Sequence, residues 1–134
     1  VGPNFVLDKG FRATGSVAYA FGEVVVLTTD GTTVARATTA NSRSIGICYE
    51  DAEVAKVTTG KLNIDVRILG IARVLAGGAI AVNDRVANDA TCRVVTKAQA
   101  AAGAQPTPVV GTAMTAATQA GDFVDVLLTP GDTY

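Results

Sequence analysis

The chain has no histidine, no tryptophan and only two cysteines in 134 residues. Without histidine there is no imidazole to act as a general base or to hold a metal. The two thiols, Cys48 and Cys92, lie far apart in the chain, which excludes the paired spacing of a zinc site. No apolar run approaches the roughly 18 residues of a membrane span, and no leader-like stretch opens the sequence, so neither a span nor a signal peptide is expected. An excess of one charge is missing too, with 11 basic against 12 acidic side chains. Arg36, Arg43, Arg67, Arg73, Arg85 and Arg93 are scattered among carboxylates, and no basic stripe forms that could track a phosphate backbone. Nucleic acid is therefore not an expected partner.

Catalytic motifs are lacking as well. No nucleophile elbow, phosphate-binding loop or dinucleotide fingerprint occurs, and the three serines, Ser16, Ser42 and Ser44, have no base near them in sequence. Carboxylates are the remaining candidates: Glu50, Asp51 and Glu53 crowd one turn, and Asp122 and Asp125 flank a strand start. Such groups can run acid–base chemistry or hold calcium. The run Glu50-Asp51-Ala52-Glu53 lacks the alternating oxygen ligands and the turn glycine of a calcium loop, so it reads as a solvated acidic turn. No catalytic residue, metal or cofactor is expected. Cys48, inside the apolar run Ile45–Tyr49, reads as a buried thiol acting as a small hydrophobe; a Cys48–Cys92 disulfide is the alternative.

What is present points to sheet. Hydrophobic residues make up 49% of the chain but aromatics only 5%. The apolar content comes from valine and alanine, and threonine is plentiful. Valine and threonine are stiff at χ1 and pack well on a pleated surface. The length suits one domain with a core that needs no disulfide or metal. We expect an all-β fold, a compact barrel or sandwich-like domain of short antiparallel strands, over residues 17–134. Strands are expected at Glu23–Thr29 and Thr32–Ala37 around an Asp30-Gly31 turn, then at Ser44–Tyr49, with a short one at Val54–Thr58. Leu62–Leu69 alternates apolar and polar residues with the period of a half-buried strand. Further strands follow at Ile71–Leu75, Ala79–Val82, Arg85–Ala87, Cys92–Thr96, Val109–Thr112 and Phe123–Thr129. The alanine-rich run Lys97–Gln105 is the place for a short helix or a loop. Residues 1–16 keep no periodicity and read as an extended N-terminal arm.

The two halves look alike. Gly22-Glu23-Val24-Val25 leading to Asp30-Gly31-Thr32 parallels Asn83-Asp84-Arg85-Val86 leading to Asp89-Ala90-Thr91. Ile45-Gly46-Ile47 parallels Val110-Gly111-Thr112, and Asn63-Ile64-Asp65-Val66 parallels Phe123-Val124-Asp125-Val126. The pattern suggests an internal duplication, with two units related by a pseudo-twofold that would close each other's edges.

The run from Gly22 to Thr38 (GEVVVLTTDGTTVARAT), then Ser44–Ala52 (SIGICYEDA), Gly70–Val86 (GIARVLAGGAIAVNDRV) and Val109–Gly131 resembles tailed-phage capsid cement proteins, also called head decoration proteins. Asn83 stands where that pattern has glycine before Asp84, a swap that asparagine tolerates because it visits left-handed backbone. The resemblance implies a structural virion protein, made in the host cytoplasm, that binds the outer surface of an icosahedral shell as a homotrimer and bridges major capsid protein subunits. The arm lies outside the resemblance. Its apolar residues Phe5, Val6, Leu7 and Phe11, with Arg12, are the candidate capsid contacts, because sticky surface on a tail needs a cover. The competing expectation is a ligand- or carbohydrate-binding β module of a secreted or surface protein. Sugar sites commonly stack on aromatic rings, and four Phe, three Tyr and no Trp equip the chain poorly for that.

Overall fold

The structure, a computed structural model, describes residues 5–134. It is all-β apart from one turn of helix. In chain order the elements are β1 (Leu7–Ala13), β2 (Val24–Leu27), β3 (Thr33–Arg36), β4 (Gly46–Cys48), α1 (Val54–Val57), β5 (Asn63–Leu69), β6 (Ile71–Leu75), β7 (Arg85–Asn88), β8 (Val94–Thr96), β9 (Gly111–Ala113) and β10 (Phe123–Leu128). The first five strands close into a barrel in the order β1-β3-β2-β4-β5, and the last five form a sheet in the order β6-β10-β9-β7-β8.

These two orders are the same path walked twice. Starting from β3, the barrel runs β3-β2-β4-β5-β1; starting from β8, the sheet runs β8-β7-β9-β10-β6. The register agrees at each rung: Val25 faces Gly46 as Val86 faces Gly111, Cys48 faces Val66 as Ala113 faces Val126, and Phe11 faces Ile64 as Val74 faces Val124. Closure repeats as well. β1 meets β3 in parallel at Arg12↔Thr33 and Ala13↔Val34, while β6 and β8 are joined by the single parallel bridge Ala76↔Val94. The chain is an internal duplication of a five-strand unit.

The repeat persists in side chains and turns. One core contains Phe11, Ala13, Tyr19, Val25, Val34, Cys48, Ile64 and Val66; the other contains Val74, Ala76, Ile80, Val86, Val94, Ala113, Val124 and Val126 at the matching positions. Gly46 and Gly111 share one reason for being glycine. A Cβ on either would run into a main-chain carbonyl of the neighbouring strand, that of Arg67 or Leu127. Gly22 (φ 88°) and Asn83 (φ 72°) occupy the same left-handed position, so the asparagine serves there as expected.

The second core also takes in Val24, Ala37 and Ile47 from the outer face of the first repeat. The two units dock through unlike surfaces, and here the expected pseudo-twofold is corrected. Repeat 1 offers Gly22, whose carbonyl accepts from Leu75 N–H at 3.0 Å, and Val24, whose N–H donates to the Cys92 carbonyl at 2.8 Å. Phe21 packs on Tyr49 and Phe123, and the Tyr49 hydroxyl accepts from Arg73 N–H at 2.8 Å. No reciprocal backbone hydrogen bond from Asn83 or Arg85 back to β1 exists among the described residues. This is head-to-tail packing.

Three local expectations also change, and for Lys97–Gln105 the loop holds over the helix. Residues 1–16 are not an arm throughout, because Leu7–Ala13 is β1, paired along its length with β5. Val54–Val57 is a helical turn, and its Val57 is 1% exposed and belongs to the first core. Lys97–Gln105 is irregular with one tight turn, Ala104 N–H to Ala101 O. Its alanines have no apolar stripe with which to hold a helix against the sheet. Ala79–Val82 forms only the bridge Ile80↔Ala117. Both cysteines are buried and free.

Candidate functional site

Most groups that could carry chemistry are occupied by the fold. The Glu50 carboxylate accepts from Asp65 N–H at 2.6 Å and that of Asp51 from Phe21 N–H at 2.9 Å, while Glu53 supplies the carbonyl that starts α1. Asp122 is held below its usual range chiefly by the Thr118 hydroxyl, and Asp125 pairs with Arg73 at 3.5 Å. Glu23, 4% exposed, is ion-paired with Arg36. Burial pushes both thiols up to about 11, so neither is an activated nucleophile. Among the described residues no three metal-ligating side chains come together, and no helix is long and apolar enough to cross a membrane.

The seam between the repeats holds an open cleft of about 480 Å3 lined by Tyr19, Glu23, Arg36, Leu75, Thr91 and Arg93. Its one carboxylate is already paired. The aromatic rings do not form a sugar platform either. Phe21 packs tilted on Tyr49 and edge-on to Phe123 at the seam, Tyr19 and Phe11 are buried, and Tyr134 lies by the Arg85 guanidinium.

The candidate contact residues divide between two environments. Phe5 is 81% exposed, and Val6 and Leu7 are also exposed. They run past Gly70, where a Cβ would lie 2.7 Å from the Phe5 carbonyl oxygen and 2.8 Å from Val6 Cγ1. Leu69, exposed as well, faces Leu7 across the β1–β5 ladder. Beside it, Leu127 is exposed where β10 faces Ile71 of β6. Leu7 and Leu69 thus form an exposed apolar pair across the ladder. Phe11, by contrast, is 7% exposed and belongs to the first core, with the Lys9 ammonium 5.6 Å above its ring. It is a core residue and is not available to a partner. Arg12 is exposed, on the strand face that also carries Asp8, whose carboxylate binds the Arg67 guanidinium at 2.8 Å.

β1 was not expected from the sequence. A signal existed: Ile71–Leu75 precedes the second hairpin as a strand, so a duplication requires a strand before the first.

No protein-family model matches the chain, and no curated protein matches it in sequence. Among solved structures it is similar to the crystal structure of the head fiber gp8.5 N base of bacteriophage phi29. The TM-score is 0.65 at 16% identity, covering 94% of this chain and 96% of that one. At that identity the likeness is one of fold.

Proposed function

We propose that this chain is a structural protein of a phage head, attached to the outer surface of an icosahedral shell, where it stabilises the lattice by bridging neighbouring major capsid protein subunits as a trimer. The observation that carries this reading is the likeness, over nearly the whole length of both chains, to a phage head fiber base. The residue pattern that resembles capsid cement proteins points the same way. The physical fit is good: the duplicated β unit is densely hydrogen-bonded, its carboxylates hold turns, and its thiols are inert. Such a module does its work by contact and not by chemistry. A trimer engaging several coat subunits at once gains avidity, so each single contact can be modest.

The test is co-sedimentation of the purified protein with expanded shells of the same phage that lack it, followed by heating of the decorated shells. Saturable binding and a raised shell disruption temperature are expected. Free protein remaining in the supernatant at every concentration would refute the reading. Native mass measurement gives the oligomeric state, and a monomer at micromolar concentration would remove the trimer.

A further inference from the structure

The two repeats put different residues on the same outer face. In β6 and β10 the side chains that point away from the second core pair across the ladder as Ile71 with Leu127, Arg73 with Asp125 and Leu75 with Phe123. Register matches these to Asp8 with Arg67, Gly10 with Asp65 and Arg12 with Asn63 in β1 and β5. Repeat 1 thus presents a face suited to water, with an Asp8–Arg67 ion pair where repeat 2 has two aliphatic side chains. Phe123 and Leu127 are each 45% exposed, and Ile71 and Leu75 are half-buried beside them. Met114, whose N–H donates to the Asp125 carbonyl at 2.7 Å, lies on the same side by strand alternation and is 47% exposed. The architecture does not require apolar residues here, because repeat 1 builds it without them. Farther across the sheet the face turns polar at Thr112 and Arg85, which bounds the apolar area. A bounded apolar area on an otherwise polar sheet face marks a contact surface.

We propose that this β6–β10 face, centred on Leu127 and Phe123, is where copies of this chain meet. The trimer belongs to the head-protein reading above, on which this assignment rests, and the face supplies its contact. Two properties suit a second copy. The charged groups within the face, Arg73 and Asp125, pair with each other at 3.5 Å, so the face is neutral in itself and copies can pack there without an unbalanced charge. Its apolar character is that of a lasting contact between identical subunits; contacts made between proteins that first exist apart are no more apolar than ordinary surface. A protein that decorates a finished shell is free in solution beforehand, and its sister copies are the surfaces at hand to cover this face during that time.

Repeat 1 supplies the variant that tests this. Ile71→Asp with Leu127→Arg copies the Asp8–Arg67 pair onto the equivalent positions of β6 and β10. The double variant should keep the parent's dichroism and cooperative melting, while its native mass falls from that of a trimer to that of a monomer. An unchanged oligomeric mass overturns the assignment, and so does a monomeric parent. If a monomeric parent binds shells and the double variant does not, the coat subunit covers this face, and the head-protein reading stands without its trimer. A trimeric parent that is split by the double variant but ignores shells leaves the face standing and removes the head-protein reading. Should the double variant not fold, Met114 of the parent decides, being the one methionine of the chain. Peroxide should oxidise it at least tenfold more slowly in the native protein than in the urea-unfolded chain, and a rate near that of the unfolded chain overturns the proposal.

Discussion

At the scale of single residues, the glycines separate roles that composition alone blurs. Gly46 and Gly111 sit where a strand carbonyl leaves no room for a methyl group, whereas Gly10 faces open space. Gly46→Ala and Gly111→Ala are each expected to lower stability by about 1–3 kcal/mol, since backbone rather than a side-chain tip must move. Gly10→Ala should fall within about 0.5 kcal/mol of the parent. Urea unfolding checks the contrast, and equal effects at positions 10 and 46 would contradict the packing described. The thiols make a second point. With both pushed up to about 11 by burial and neither bonded, a thiol reagent at pH 8 should find no reactive cysteine in the native protein and two after denaturation. The apolar neighbourhood of Cys48 made its burial legible in the sequence. The positive φ of Cys92 (65°) had no such signal, because it arises from the tight hairpin turn into β8.

At the scale of elements, strands with clear period-2 alternation were readable and the short ones were not. Asn63–Leu69 has four apolar residues on one face within or beside it, and the expected strand and the observed one nearly coincide. Leu7–Ala13 was misread because only Phe11 and Ala13 are buried, while Leu7 to Gly10 pair with β5 but are exposed on both faces, so no burial imposes alternation there. Removing residues 1–12 deletes this barrel strand, so the truncated chain should lose its cooperative melting transition; a folded product with unchanged dichroism would show β1 to be dispensable. Phe11→Ala should lower stability by about 3–5 kcal/mol. Turns were legible for a physical reason, the donors gathered on one carboxylate. Asp30 accepts from the amides of Thr32 and Thr33 at 2.9 and 3.0 Å, and the Thr32 amide is the chief cause of its lowered pKa. Asp84, through the Ala81 amide, and Asp122, through the Thr118 hydroxyl, are lowered likewise. Because the folded values lie below the unfolded value of about 3.9, this stabilisation is complete above about pH 5 and fades as pH falls through the lowered values. With no histidine to titrate, the melting temperature should stay flat between about pH 5 and 8 and drop below about pH 4. A step near pH 6.5 would contradict this.

At the scale of the whole molecule, the duplication was legible because turn glycines and strand valines recur in order, but the way the repeats meet was not. Docking depends on what the outer faces carry. Val24 and Ile47 cover the second core, whereas their equivalents by register, Arg85 and Thr112, are polar and partly exposed. Arg85 is held instead by Asp132 and the Tyr134 ring of the C-terminal segment. Polar outward faces on a stacked array disfavour the docking of a further repeat there. Ile47→Ala should therefore destabilise both repeats together, by about 2–5 kcal/mol in a single transition; two separated transitions would show the halves to be independent.

The proposed function puts this pair of repeats on the outer surface of a shell. The most direct measurement is a cryo-electron microscopy map of shells incubated with the protein. It should place paired five-strand units on the outer surface at positions that bridge coat subunits. Shells with bare outer surfaces at saturating protein, or density confined to the interior, would contradict it.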